Sequence, residues 1–328
     1  MQRLPMLSLP DFRQKQIIIC FAAEGQKISF RNDNLLIKDK EDEIVMQATC
    51  YKIFSVWIVG HTTITSGILE RSRKFGFSIY LLSYSHKLYG IWCAATEGNF
   101  LLRKKQYEYS GLSIAKKLVA NKIANQRALL NTLRKKSLTL KEAIANLDVY
   151  VQQLDAAPEL TSVLGHEGVA SRLFFSHWYG DMNWQSRRPR TKIDPINTTL
   201  DIGYTYLFNF IESMTHLYGF DVYQGVYHRC FYQRKSLVCD LVEPFRCIVD
   251  KQVRKAWGLG QLKLEDFKQD RGQYLLKIEK NKDYTRWLMQ GILEHKESIF
   301  SYVQEYYRCF MRSKPIEEYP VFQVHAEK

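Results

Sequence analysis

Apolar residues recur with two different periods along this chain. From residue 15 to about 95, short runs rich in β-branched and aromatic side chains are separated by polar turns, which is the pattern of strands. Residues 17–23 read as the first strand. Ile28-Ser29-Phe30 and Leu35-Leu36-Ile37 follow, joined by Arg31-Asn32-Asp33-Asn34, a polar turn whose Asn and Asp tolerate positive φ. Residues 54–60 and 77–82 predict two more strands, and residues 88–93 a last one. Between them, 65–76 suits one short helix closed by a glycine.

From Arg103 onward the spacing becomes helical. Ile114, Leu118, Ile123, Ala124, Leu129 and Leu130 fall at helical intervals, with Lys116, Lys117, Lys122 and Arg127 on the other positions. Segments 141–156, 161–179, 197–218, 242–257 and 284–312 read as further helices. The expected fold class is therefore α+β: a small N-terminal β-rich domain (1–95), a linker (96–104) and a larger all-α domain (105–328). A chain of 328 residues is long enough for two cores. The ends, 1–13 and 314–328, are expected to be the least ordered parts.

Composition narrows the class. Hydrophobic residues at 46% and charged residues at 25% describe an ordinary globular protein. No apolar stretch approaches the roughly 18–20 residues of a membrane span, and the run at 17–23 ends at Glu24, as a strand rather than a signal peptide does. Seven scattered cysteines without a C-x-x-C read as reduced thiols in a cytoplasmic protein, not as a zinc site or a disulfide frame. Lys and Arg number 47 against 34 Asp and Glu, a net charge of +13. A polyanionic partner is the economical reading of that excess. The basic clusters are Lys104-Lys105, Lys116-Lys117, Arg134-Lys135-Lys136, Arg187-Arg188-Pro189-Arg190-Thr191-Lys192 and Arg234-Lys235. Tyr218, Tyr223, Tyr227, Phe231 and Tyr232 interleave with charge around His228, a mixture suited to stacking on bases beside phosphate clamps.

Candidate chemistry lies in the helical half. Glu167 sits in Gly165-His166-Glu167-Gly168, at the opening of an apolar helical run. His228 lies well downstream, and Asp240-Leu241-Val242-Glu243-Pro244-Phe245-Arg246 follows it. Two carboxylates and one imidazole suit a hard divalent cation able to activate a phosphodiester. Each residue also has an ordinary reading. Asp240-x-x-Glu243 followed by Pro244 has the form of a helix N-terminus, Glu167 that of a first-turn acid, and a lone histidine is more often structural. His166 and His177 are expected not to ligate.

Four motifs occur in one order: Gly165-x-Glu167-Gly168-x-Ala170 with Phe175; Arg187-Arg188-Pro189 with Asp194-Pro195-x-Asn197; Gly219-Phe220-Asp221 leading to His228; and Ser236-Leu237-x2-Asp240-Leu241-x-Glu243-Pro244-Phe245-Arg246. Together they closely resemble the CRISPR spacer-acquisition integrase family, Cas one. The resemblance implies that Glu167, His228 and Glu243 hold Mg2+ or Mn2+, with Asp240 as a supporting acid in the same pocket. It implies that Asp194, Asn197 and Asp221 shape the pocket from behind. Among the basic residues it favours Arg187, Arg188, Arg190 and Lys192 for DNA, with Arg234 and Lys235 beside them. Lys122-Ile123-Ala124-Asn125-Gln126 also resembles a family segment and reads as structural helix. The loop 188–195 is longer and more basic than is usual in the family.

The implied activity is a metal-dependent endonuclease and integrase, inserting short invader-derived DNA into a CRISPR array by 3′-hydroxyl attack. The implied partners are the prespacer duplex, the leader-repeat DNA, a second copy of the chain (homodimer or higher, through the β domain) and the small Cas two protein. Two rival readings are a non-catalytic nucleic-acid-binding scaffold and a metal-dependent branched-DNA nuclease in repair.

Overall fold

The computed structural model describes residues 7–94, 98–229 and 231–324, so Cys230, residues 95–97 of the expected domain junction and the outermost ends lie outside the described residues. The first half builds two sheets. β1 (Gln16–Phe21), β5 (Ile53–Val59), β6 (Ser78–Leu82) and β7 (Leu88–Trp92) lie in that order, parallel except for the antiparallel β6–β7 pair. β2 (Lys27–Arg31), β3 (Asn34–Lys38) and β4 (Ile44–Thr49) form an antiparallel ladder. The turn expected between β2 and β3 is present, with Asn32 at φ 55°. β4 is an addition to the predicted strands: Ile44-Val45-Met46 is apolar but exposed and does not alternate.

β5 is buried along its whole length, as a central strand covered on both faces must be. It crosses to β6 through α2 (Ser66–Phe75), which ends on Gly76 in the left-handed region (φ 74°) with its N–H on the Ser72 carbonyl. On one side of this sheet Ile18, Cys20, Val56, Ile58 and Ile79 pack with Ile68 and Phe75 of α2 and with Leu35 and Ile37 of β3. Trp57, Val59, Tyr80 and Leu82 join the core of the helical half.

That half contains α3 (Phe100–Glu108), α4 (Ser113–Thr132), α5 (Leu138–Ala156), α6 (Leu160–Trp178), α7 (Pro195–Leu217), α8 (Ser236–Val242), α9 (Arg246–Gly258), α10 (Asn281–Glu294) and α11 (Lys296–Met311). The two halves share one core: the Trp57 ring lies 5.5 Å from Tyr206 and Phe54 lies 6.1 Å from Phe210, both partners on α7. Residues 100–104 of the expected linker are the first turn of α3. The helix expected at 284–312 is broken at His295, between α10 and α11, and the one expected at 242–257 begins as a 3₁₀ turn, Glu243–Phe245. A hairpin, β8 (Phe267–Asp270) and β9 (Gln273–Leu276), interrupts the helices. Its two-residue loop has Arg271 and Gly272 both at positive φ, the geometry that matches strand twist.

The described parts of the ends, 7–13 and 314–324, are packed rather than loose. Phe12, on α1 (Leu9–Arg13), stacks on Phe300 at 4.3 Å. Near the other end, Phe322 is buried 4.6 Å from the Phe245 ring. Its carbonyl takes the side-chain amides of Asn121 and Asn125, and its N–H donates to Asn121. This strap fixes one face of α4. No helix among the described residues is long and apolar enough to cross a membrane.

Candidate active site

Helix α4 supplies the floor of the site. Its stripe Leu118, Lys122, Asn125, Gln126 and Leu129 is buried, and three of those residues are polar. Asn125 donates to the Pro244 carbonyl at 3.1 Å, tying α4 to the Glu243–Phe245 turn. Gln126 reaches Ser171 on α6, whose hydroxyl donates to Glu167 Oε1 at 2.7 Å. Between these tethers lies Lys122. Its ammonium donates to Glu167 Oε1 and stands 2.7 Å from Glu243 Oε2. Arg246 Nε closes the group, 3.0 Å from the same Glu243 oxygen.

Four ionic side chains are thus collected in one buried place. Burial opposes charge on each, yet mutual attraction prevails. The Glu167 carboxyl is held below its usual range by Lys122 and the Ser171 hydroxyl, and Glu243 is held far below it by Arg246 and Lys122. The Lys122 and Arg246 cations are stabilised in turn, both raised by Glu243. Lys122 was expected on the polar face of its helix. It is instead 8% exposed, and a charged residue on an apolar stripe must be paired. Its place in line with Leu118, Asn125 and Leu129 was the signal available in the sequence.

Glu167 lies in the middle of α6, not in its first turn. Asp240 caps no helix: it is buried near the end of α8. Its carboxylate accepts the backbone N–H groups of Val226 (2.6 Å), Tyr227 (3.0 Å) and His228 (2.7 Å) and, at 2.8 Å, His228 Nδ1. A carboxylate only accepts, so Nδ1 is the donor, and Nε2 is the ring nitrogen not engaged by Asp240. Gly225 is required here, because a Cβ would lie 2.7 Å from Asp240 Oδ2.

Among the described residues, no three His, Cys, Asp or Glu side chains converge closely enough to hold a metal. The two acids meet on Lys122, and His228 stands apart on Asp240. The donor chemistry nonetheless fits a cation: two carboxylates from separate elements already share one positive charge, and the charge of His228 is felt at Glu243 although its ring is held on Asp240. The Tyr227 hydroxyl is buried without a hydrogen-bond partner. Burial pushes its pKa up, and the charges of Glu167, Glu243 and Asp240 push it further. Such an orphan suits a site built for one more polar occupant.

Behind Arg246 lies a second acid. Arg246 covers the Tyr204 ring at 4.8 Å, and the Tyr204 hydroxyl donates to Asp250 Oδ1 at 2.7 Å. Tyr179 donates to the same oxygen at 3.2 Å, and burial pushes the Asp250 carboxyl up to about 6.

The remaining expected site residues divide into inward and outward groups. Arg187 is turned inward, on Asp201 (2.5 Å) and on Asn197 Oδ1 (2.9 Å). Asn197 also takes the Arg188 N–H and donates to Asp194, which caps α7. Asp221 accepts from the Tyr107 hydroxyl and the Tyr223 N–H, anchoring the segment before His228 to α3. None of these three polar residues touches the acid pair. Lys235 is paired with Glu212 at 2.6 Å, and Arg234 donates to the Arg229 carbonyl and covers the Phe231 ring. Arg188 and Arg190 are exposed, while Lys192 is half-buried with its carbonyl on the Tyr274 N–H of β9. Phe231 and Tyr232 are exposed at 70% and 84%, beside the His228 segment. His177 turns back on the Leu173 carbonyl of its own helix.

Sequence and fold comparisons agree. Residues 19–289 match the family described as CRISPR associated protein Cas1. A CRISPR-associated endonuclease Cas1 of Thermodesulfovibrio yellowstonii is 34% identical over 286 residues, covering 81% of this chain and 87% of that one. A chain of a Cas6-RT-Cas1–Cas2 complex superimposes with a TM-score of 0.81 at 21% identity, over 95% of this chain and 36% of the other. A casposase bound to an integration product superimposes with a TM-score of 0.78 at 19% identity, over 95% of this chain and 96% of the other.

Proposed function

The chain belongs to the CRISPR-associated Cas1 family, and from that premise we propose that it is a CRISPR adaptation integrase, a metal-dependent enzyme that joins short DNA to a repeat array. The observation that carries this reading is the pair Glu167 and Glu243, brought from separate elements to one cation in a chain of this family.

In the proposed reaction, a 3′-hydroxyl of the incoming duplex attacks a phosphodiester of the repeat. A new oxygen–phosphorus bond forms, the bond to the repeat's own 3′-oxygen breaks, and that oxygen leaves with a proton. Glu167, Glu243 and His228 Nε2 are the residues that would hold Mg2+ or Mn2+. A divalent ion there supplies charge neutralisation at phosphorus and a more acidic attacking hydroxyl. Asp240 engages the imidazole at Nδ1, so that Nε2 is the nitrogen free to face a metal, and it gathers the backbone before His228. Arg188, Arg190 and Lys192 offer positive charge to the DNA backbone, while Phe231 and Tyr232 offer rings on which an unpaired base can stack. Arg187, Arg234 and Lys235 serve differently: their charged ends hold Asp201, the Arg229 carbonyl and Glu212, and so shape the segments that carry the others. A second copy of the chain and a Cas2 protein are the proposed partners; the likeness to one chain of a Cas6-RT-Cas1–Cas2 complex supports the latter.

The test is incubation with a 3′-hydroxyl duplex, a supercoiled plasmid carrying a repeat, and Mn2+, with a branched DNA in a parallel reaction. The proposal expects duplex joined covalently at the repeat. Cleavage of branched DNA without joining would support the repair nuclease, and binding without either reaction would support the scaffold.

A further inference from the structure

We infer that Lys122 is the stand-in cation of the metal seat: its ammonium holds Glu167 and Glu243 together in the metal-free protein and has to leave them when a divalent ion binds. This inference rests on the metal reading above. It begins with which atoms are engaged. Lys122 meets Glu167 at Oε1 and Glu243 at Oε2, one oxygen from each acid. Those oxygens point at one centre, and that centre is occupied by Nζ. A divalent ion drawing on both carboxylates needs the same space.

The surroundings allow the side chain to move without the helix. Asn121 and Asn125 bind the Phe322 strap, Asn125 binds the Pro244 carbonyl, and Gln126 binds Ser171. The backbone of α4 is therefore anchored on both sides of Lys122. The lysine stem is flexible and its ammonium is a compact point charge, unlike the planar fork of Arg246. Arg246 is braced against the Tyr204 ring and held on Glu243. Of the two cations, Lys122 is the one built to yield.

Charge explains why a stand-in is needed. Glu243 is 3% exposed and Glu167 19% exposed by side chain, and two close buried carboxylates repel. With Arg246 alone, one negative charge would remain unbalanced. Lys122 neutralises it, so the acids stay ionised and aligned before the metal arrives. Its removal has two opposite consequences: a less stable metal-free protein and an emptier, more attractive seat for a divalent ion. A lysine that only braced the fold would weaken metal binding when lost, because the acids it aligned would splay.

The test is calorimetric titration of Mn2+ into the full chain without DNA, for wild type, Lys122→Met and the more polar Lys122→Gln, with melting temperatures taken with and without Mn2+. The expected result is Mn2+ affinity raised at least about tenfold in whichever variants fold. Their melting temperatures should be lower without metal and rise more on Mn2+ addition than that of wild type. Unchanged or weaker Mn2+ binding in both variants, with wild type binding normally, overturns the inference and leaves the metal reading intact. If wild type and both variants bind no Mn2+, the metal reading falls and takes this inference with it. Should both variants fail to fold even with Mn2+ present, Lys122 is a structural brace and the inference is overturned.

Discussion

Glu243 and Asp250 lie seven residues apart on one segment, both nearly inaccessible, and they have opposite chemistry. Burial disfavours the charge of each. Glu243 faces Arg246 and Lys122 and is held far below the ordinary carboxylate range. Asp250 faces the hydroxyls of Tyr204 and Tyr179, and burial pushes it up to about 6. The difference lies in the partners, not the depth. An acid matched to cations remains an anion able to hold an incoming ion, whereas an acid matched to hydroxyls is a brace. Tyr204 links them, since it carries Arg246 on its ring and Asp250 on its hydroxyl.

The comparison is broken most forcefully at the acid pair. Glu167→Ala or Glu243→Ala should lower strand transfer at least about 100-fold with the fold retained by circular dichroism, because the proposed metal seat loses one of its two acids. Asp250→Asn should keep most of the activity, since an amide oxygen still accepts from both tyrosines. A somewhat smaller loss, about ten- to a hundredfold, is expected for Asp240→Ala, which releases His228 and three backbone N–H groups at once. Solution NMR of the His228 imidazole should then show the Nδ1 tautomer no longer enforced.

Stability against pH sharpens the same contrast. Asp250 has a folded pKa near 6 against an ordinary 3.8, so its contribution is full below the ordinary value and lost as pH rises through about 6. Denaturant unfolding of wild type and Asp250→Asn should show it: between pH 4 and 6 wild type should lose about 2 kcal/mol relative to the variant. A parallel pair of curves would contradict the buried, hydroxyl-held assignment. The smallest effect concerns arginines divided by the same logic. Arg188→Ala with Arg190→Ala should flatten the salt dependence of DNA binding by roughly one slope unit per lost phosphate contact, without loss of stability. Arg187→Ala should instead lower the melting temperature, because its charge is committed to Asp201.

Much of the architecture was legible because it rests on short-range patterns. The hairpin turn at Asn32, the glycine end of α2 and the start of α7 at Asp194-Pro195 all follow from local chemistry. Less was legible where tertiary contacts decide. β4 is exposed and unpatterned, and the described residues near each end are held by Phe12 and Phe322 reaching a distant core. At the site, the motifs singled out Glu167, His228, Asp240 and Glu243 together, but they said nothing of which meets which partner: the two glutamates meet on Lys122, and His228 meets Asp240. Asp240 had the sequence of a cap and became the anchor of the His228 segment. Lys122 had the look of a surface lysine because three neighbouring basic residues, Lys116, Lys117 and Arg127, made a polar face plausible. Arg187, the first residue of the basic loop, turned inward for a reason invisible in sequence: Asn197 and Asp201 come one helical turn apart on α7.

The central claim is that the Glu167–Glu243 pair, and not the neighbouring buried acid, forms the cation seat. Titration of Mn2+ into wild type, Glu243→Gln and Asp250→Asn tests it most directly, because binding is read without DNA or turnover. The account predicts that wild type and Asp250→Asn bind Mn2+ alike, and that Glu243→Gln binds at least about tenfold more weakly. Wild-type affinity in Glu243→Gln, or loss of binding in a folded Asp250→Asn, would contradict it.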